Sequence, residues 1–350
     1  MHLRFKKYLI LALGNLAILV FFVLSVEGLL ALSYVFSPYL KFSIKAVQEY
    51  YMKYDRYIVQ YMSECAQFDS KLSYRFKPNN KCLFKNREFA IEVKTNSAGV
   101  RDDQVSLESP KVIFTGDSHA MGWGVDNDKI VSSLIEKALS VSVLNVSVSS
   151  YGTAREALLI KDLKLKSPPR VIVWQYCPND YTENLSFETV GGKFVPTIDR
   201  NQYKELSSNF GRQNPNIFSP FMRRFWPLVY RHFNDAVTTP PIVKKDRNRR
   251  EAELFLNVLL NVDLSLTDTA VIVYESNARN QNDSYFVEEL DRLVLDKNDQ
   301  LKKKGIKILT VDISKVLTAK HFYFFDDHPN ALGHRAIAEL LLPQVKELLR

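Results

Sequence analysis

The chain has 350 residues, 46% of them hydrophobic and 25% charged, which excludes a disordered polypeptide and allows one large domain or two modest ones. Its net charge is +8, carried partly by the N-terminal tip and partly by a basic run that includes Arg223, Arg224, Arg231, Lys244, Lys245, Arg247, Arg249 and Arg250. No nucleic-acid motif accompanies that run, so it reads as a solvated face, with anionic lipid or acidic glycan as the alternative and no nucleic-acid partner expected.

No charged residue occurs from Tyr8 to Val26, nor from Gly28 to Leu40. A run of this length spans the roughly 30 Å hydrocarbon core of a bilayer as a helix, and it exceeds the apolar region of a secretory signal, so an uncleaved single-pass anchor is expected. Arg4, Lys6 and Lys7 precede it, and the positive-inside rule keeps such a cluster cytoplasmic, placing everything after residue 40 on the extracytoplasmic face. Cys65 and Cys82 would be free to pair in that oxidising compartment. Neither a Cys-x-x-Cys motif nor a Cys/His cluster is present, and no metal site is expected.

Ser43 to Phe68 carries Tyr50, Tyr51, Tyr54, Tyr57 and Tyr61, a spacing that predicts an interfacial or packing helix. Alternation at Phe89, Ile91 and Val93 predicts a β-rich prelude over Leu72 to Arg101. From Lys111 short apolar runs alternate with amphipathic ones, the pattern of a parallel sheet with crossover helices. Strands are expected at Val112 to Thr115, Val141 to Val146, Val171 to Gln175, Ala270 to Tyr274 and Ile306 to Val311. Helices are expected at Asp128 to Leu139, Thr153 to Leu165, Arg249 to Asn261, Tyr285 to Lys304 and Ala331 to Leu349. The fold class is therefore α/β, a three-layer α/β/α domain over residues 111–350, with the aromatic, aperiodic interval from Tyr181 to Asp246 inserted over the active face.

In an open parallel sheet the reactive groups gather where strands end. Val112 to Thr115 runs into Gly116-Asp117-Ser118-His119, a glycine turn that would present the Ser118 hydroxyl. Serine needs an imidazole to take its proton and a carboxylate to orient that imidazole, and Asp326-Asp327-His328 offers both just before Pro329-Asn330 and the last helix. Oxyanion donors would come from the Ser118 amide, from Gly152 after the second strand and from the Asn179 side chain after the third. His119 would shape the pocket, Cys177 would pack, and His232, His321 and His334 would be structural. Gly122-Trp123-Gly124 does not continue into a dinucleotide fingerprint and no phosphate loop with lysine exists, so no nucleotide or other cofactor is expected.

Gly116-Asp117-Ser118, Gly152, Asn179-Asp180 and His328, in that order, resemble the four blocks of the SGNH hydrolases, also called GDSL esterases and lipases, over Lys111 to Arg350. The resemblance implies a flavodoxin-like five-stranded sheet, Ser118 as nucleophile and oxyanion donor, Gly152 and Asn179 as oxyanion donors, and His328 as general base. His119 stands where the family often has leucine, Cys177 where it has glycine, and Phe325 where the acid usually lies. Asp326 resembles the Asp-x-His spacing of the alginate-acetylating branch and is preferred as the acid over Asp327. The expected function is esterase chemistry on O-acyl groups, acetyl foremost, of an envelope glycan or lipid. The alternatives are an O-acyltransferase with a membrane acyl-donor partner, and an inactive glycan-binding module.

Overall fold

The computed structural model describes residues 2–40, 45–163, 165–209, 224–228, 230, 244–264, 268–279 and 283–350. Much of the interval expected as an insertion, together with Arg223, Arg231 and His232, lies outside those residues. Contacts divide the chain into two compact units, the first comprising Met1–Arg56, Gly211–Pro240 and Phe324–Asp326, the second Tyr57–Phe210, Pro241–Tyr323 and Asp327–Arg350.

The first unit begins with the helix His2–Leu40. Its stretch Lys6–Tyr39, whose 18-residue apolar window has a mean hydropathy of 2.7, is long and apolar enough to cross a membrane, since about 20 apolar residues suffice. Leu11, Ile18, Phe21 and Leu24 along it are exposed. The tyrosine-rich segment does not form the single helix expected over Ser43 to Phe68. A helix at Lys45–Tyr50 passes into a π-helical turn at Tyr51–Asp55, and Arg56 is already extended. A cluster of rings accounts for the break: Tyr50 stacks on Phe225 at 4.6 Å and Tyr51 on Phe325 at 5.6 Å. Ring pairs of this kind stabilise by about 0.5–1.5 kcal/mol beyond area burial, enough to override weak helical propensity in a short segment.

The second unit opens with two antiparallel hairpins, β1 (Ala66–Asp69) with β2 (Ser73–Phe76), and β3 (Lys81–Lys85) with β4 (Ala90–Lys94). They realise the β-rich prelude, and β3 and β4 alternate between exposed and buried residues as half-buried strands do. A disulfide joins Cys65 to Cys82. Val59, Tyr74, Phe84 and Val93 enter the same hydrophobic cluster as Trp123, Leu144 and Trp174, so the prelude shares a core with the sheet that follows it.

That sheet contains β5 (Val112–Thr115), β6 (Val143–Asn145), β7 (Val171–Tyr176), β8 (Thr269–Glu275) and β9 (Ile306–Thr310) in the order β6-β5-β7-β8-β9, with every pairing parallel. This is the doubly wound, flavodoxin-like order. Strand residues alternate between two cores. Ile113, Ile172, Val271 and Val273 face a cluster with Ala157, Phe255 and Leu290, whereas Val112, Phe114, Val173 and Ile272 face one with Ile135, Ile337 and Leu341. Burial on both faces explains why the strands read as continuous apolar runs, and each large side chain so buried contributes about 1.5–3 kcal/mol.

The helix expected from Asp128 starts only at Val131, after a 3-10 turn at Asn127–Lys129. The one expected over Tyr285 to Lys304 breaks at Lys297 into Tyr285–Asp296 and Asn298–Lys303. Helices at Asp180–Thr189 and Arg200–Asn209 occupy part of the interval expected to lack regular structure. The first of these buries only Asp180, Asn184 and Phe187, and the second only Tyr203, too few apolar positions to register as a period.

Candidate active site

In this strand order the chain reverses direction between β5 and β7, and the crevice at their carboxyl ends is where doubly wound sheets bind ligands. Ser118 follows β5 there and Asn179 follows β7. Gly116, with φ of 151°, makes the turn after β5, and a Cβ on it would meet Gln175 Oε1 at 2.5 Å and Ala120 Cβ at 2.8 Å. Only glycine allows that approach. Gln175 uses the space to accept from the Asp117 amide at 3.0 Å and the Ala120 amide at 3.2 Å.

Asp117 is the N-cap of a one-turn helix, Ser118–Met121, and its Oδ1 accepts from the His119 amide at 2.9 Å. Ser118 thus opens a helix, where backbone amides point outward and suit a developing negative charge. Its Oγ lies 2.7 Å from His328 Nε2, and both residues are buried.

His328 stands on the loop between β9 and the last helix, Ala331–Leu348. Asn330 caps that helix by accepting from the amides of Leu332 and Gly333, as its position predicts. A bridge between Phe322 and Pro329 and a bond from the Tyr323 amide to the His328 carbonyl at 3.2 Å close the loop. The Trp123 indole stacks on the imidazole at 4.6 Å with 13° between planes, and the His119 ring lies 4.8 Å away. His119 Nδ1 is itself 2.8 Å from the Ser276 hydroxyl, which fixes its ring in the pocket wall.

The two aspartates differ in surroundings. Asp327 Oδ1 lies 3.4 Å from His328 Nδ1, and the Asp327 side chain is 38% exposed. The Asp326 side chain is fully buried in the first unit, where Tyr51 donates its hydroxyl proton to Oδ2 at 3.0 Å and Arg56 stands 4.0 Å from Oδ1.

Gly152 is the N-cap residue of the helix Thr153–Asp162, as the helix expected from Thr153 implies, and Asn179 is the N-cap residue of Asp180–Thr189, a helix that the sequence pattern does not predict. Asn179 Nδ2 donates to Asp117 Oδ2 at 3.1 Å, so the nucleophile turn and the third loop are tied together. The Thr153 hydroxyl donates to Asp180 Oδ2 at 3.0 Å, and Arg155 pairs with Glu183 at 2.6 Å, which laces the two helix starts to each other. A Cβ on Gly152 would meet Glu183 Cδ at 2.9 Å.

Burial pushes the Cys177 thiol well above its ordinary pKa, the result expected of a packing residue rather than a nucleophile. Burial likewise holds His334 down to about 3, so it stays neutral while its Nδ1 accepts from the Val131 amide. His321 accepts from the Thr318 amide in a capping box. Sequence reasoning did not single out Arg101, Trp123, Gln175 or Ser276. The one local signal was the pair of glycines flanking Trp123.

No protein-family model matches the chain, and a comparison with curated proteins gives no match. Solved structures do match it. Their descriptions name G-D-S-L lipolytic proteins and carbohydrate esterases. A structure described as TesA is 12% identical over 68% of this chain and 98% of its own, with a TM-score of 0.35. A member of the lipolytic G-D-S-L family from Veillonella parvula is 14% identical over 66% of this chain and 96% of its own, with a TM-score of 0.37. A family two carbohydrate esterase from Cellvibrio japonicus is 15% identical over 69% of this chain and 62% of its own, with a TM-score of 0.35.

Proposed function

We propose that the protein is a membrane-anchored serine esterase that removes O-acyl groups, acetyl foremost, from an envelope glycan or lipid through an acyl-Ser118 intermediate. The observation that carries this reading is the 2.7 Å contact between Ser118 Oγ and His328 Nε2 in a buried crevice. That is the distance a general base needs to take the hydroxyl proton.

In the first half-reaction Ser118 Oγ bonds to the acyl carbonyl carbon while its proton passes to His328 Nε2. The carbonyl oxygen becomes an oxyanion, met by the amides of Ser118 and Gly152 and by Asn179 Nδ2. Collapse breaks the bond to the alcohol oxygen of the substrate, which leaves with the proton from His328. In the second half-reaction His328 takes a proton from water, the hydroxide oxygen bonds to the acyl carbon, and the Ser118 ester bond breaks to release the acid, with His328 returning its proton to Ser118 Oγ. The acid of this reading is Asp326, a buried, hydrogen-bonded carboxylate shielded from solvent screening, with the more exposed Asp327 as the alternative acid. The Lys6–Tyr39 helix would anchor the chain in the membrane, with the catalytic domain on the extracytoplasmic side.

The test is incubation of the detergent-solubilised full chain with p-nitrophenyl acetate, following nitrophenol release and the mass of the Ser118 peptide. An acetyl adduct on Ser118 that clears in water is expected. An adduct that clears only onto an added oligosaccharide would make the protein an O-acyltransferase, and neither adduct nor release would overturn the catalytic reading.

A further inference from the structure

The carbonyls of the nucleophile turn pose a problem that the turn cannot solve alone. A helix leaves its last carbonyls without intrahelical partners, and Ser118–Met121 is a single turn closed by Gly122 in the left-handed region at φ 85°. The segment then runs through Trp123, which stacks on His328, to Gly124, again at positive φ. Ser118, Met121, Trp123 and Val125 are all buried, so the carbonyls at this bend have little access to water.

One side chain from the prelude meets them. The Arg101 guanidinium is fully buried and donates to the carbonyls of Met121 at 2.9 Å, Gly122 at 2.6 Å and Val125 at 2.6 Å, while its Nε donates to Asn127 Oδ1 at 3.0 Å. Arg101 is brought there by the turn at Gly99, whose φ is 70° and where a Cβ would meet the Phe76 carbonyl oxygen at 2.6 Å. Its neighbour Asp102 accepts from the Asn145 amide of β6 at 2.7 Å, which pins the same loop to the sheet edge. On the far side of the bend Tyr323 donates to the Gly124 carbonyl at 2.6 Å, and Phe89 packs on both Tyr323 and Trp123.

We propose that Arg101 is a positioning residue: by gripping three carbonyls of the 121–125 bend it holds the Ser118 hydroxyl at one end and, through Trp123, the ring plane of His328 at the other. The prelude is thereby a working part of the catalytic unit. This rests on the esterase reading for its kinetic consequence but not for its geometric one. Burial lowers the guanidinium pKa only to about 10, opposed by Asp126 and Asp102, so the grip is charged at neutral pH. A lysine cannot replace it, because a single ammonium lacks the planar fork that reaches several carbonyls at once.

The test uses Arg101→Lys in the full chain, with turnover expressed per site titrated by a fluorophosphonate. Displacing catalytic groups by an ångström costs about 100-fold, so a fall in kcat of that order is expected. KM should stay within about threefold, because ground-state binding is not what the grip controls. A merely structural role would reduce the number of titrated sites and leave the turnover of each unchanged. The second readout needs no turnover: Trp123 is stacked on the His328 ring at 4.6 Å, so the fluorescence of the native chain minus that of Trp123→Phe reports the quenching of the indole by its neighbour. That quenching is expected to weaken in Arg101→Lys. Should the lysine variant not fold, Asn127→Ala frees the guanidinium Nε while leaving the three carbonyl bonds, and a smaller change in the same direction is expected. A folded variant with native kcat per site and native quenching of Trp123 would overturn the proposal. Absence of turnover in the native chain would overturn the esterase reading alone, since fluorescence would still report whether Arg101 sets the Trp123 and His328 stack.

Discussion

Asn179 Nδ2 donates to Asp117 Oδ2 at 3.1 Å while Asp117 Oδ1 accepts from the His119 amide at 2.9 Å. One carboxylate thereby sets both the nucleophile turn and the side-chain amide expected to meet the oxyanion. The amide carries two protons, and the one held by Asp117 leaves the other to point at the developing charge.

Asn179→Ala is therefore expected to lower kcat by about 100- to 1000-fold, the usual cost of an oxyanion donor, with a much smaller change in KM. Asp117→Asn should act in the same direction, because its amide group can face Asn179 with only one acceptor. Steady-state kinetics on p-nitrophenyl acetate checks both, and an unchanged kcat for Asn179→Ala would assign that residue another part.

Ser118→Ala and His328→Ala should each abolish acylation; Ser118→Ala should leave thermal unfolding close to native, whereas His328→Ala removes a buried ring stacked on Trp123 and should lower it. Asp326→Asn should reduce kcat more than Asp327→Asn, given the buried setting of Asp326 and the 38% exposure of Asp327. Equal kcat values for the two asparagine variants would defeat the choice of Asp326 as the acid.

Gly152→Ala should cost both stability and rate. The new methyl group would lie 2.9 Å from Glu183 Cδ, and Glu183 is not free to swing away because Arg155 holds it at 2.6 Å. Overpacking of this kind costs about 1–3 kcal/mol, to be read by chemical denaturation alongside kcat.

Stability should decline on the alkaline side through Glu275. Burial raises its pKa from 4.5 to about 9, so the folded state binds a proton that the unfolded state has lost between those values. With more protons on the native state, unfolding free energy falls as pH rises across that window. His334 has the opposite sign. Burial depresses it from 6.5 to about 3, so the unfolded state takes up a proton first and stability falls as pH drops below about 6.5. Thermal unfolding between pH 5 and 9 should show the alkaline slope flattened in Glu275→Gln, and an identical slope would mean that Glu275 titrates normally.

Reduction of the Cys65–Cys82 disulfide should lower the unfolding temperature. Its partners are 17 residues apart, and closing a loop of about that size is worth about 3 kcal/mol in the chain-entropy account. Differential scanning calorimetry with and without reductant measures it.

The apolar helix, the sheet and the positions of Ser118, Gly152, Asn179 and His328 were legible in the sequence, for a common reason. Each depends on local information: an uncharged run, a strand buried on both faces, a glycine or cap residue directly after a strand. Val112–Thr115 matched its expected bounds because all four residues are buried and the Gly116 turn ends the strand. The tyrosine helix failed because rings distant in sequence, Phe225 and Phe325, pack on Tyr50 and Tyr51. Arg101 could not be recognised either, since its acceptors are backbone carbonyls that any sequence would supply, and the stack of Trp123 on His328 joins residues whose proximity no periodicity encodes. Local pattern settles which elements form and where reactive groups emerge. Which side chains hold those groups in working geometry is decided by contacts that exist only once the sheet has brought distant segments together.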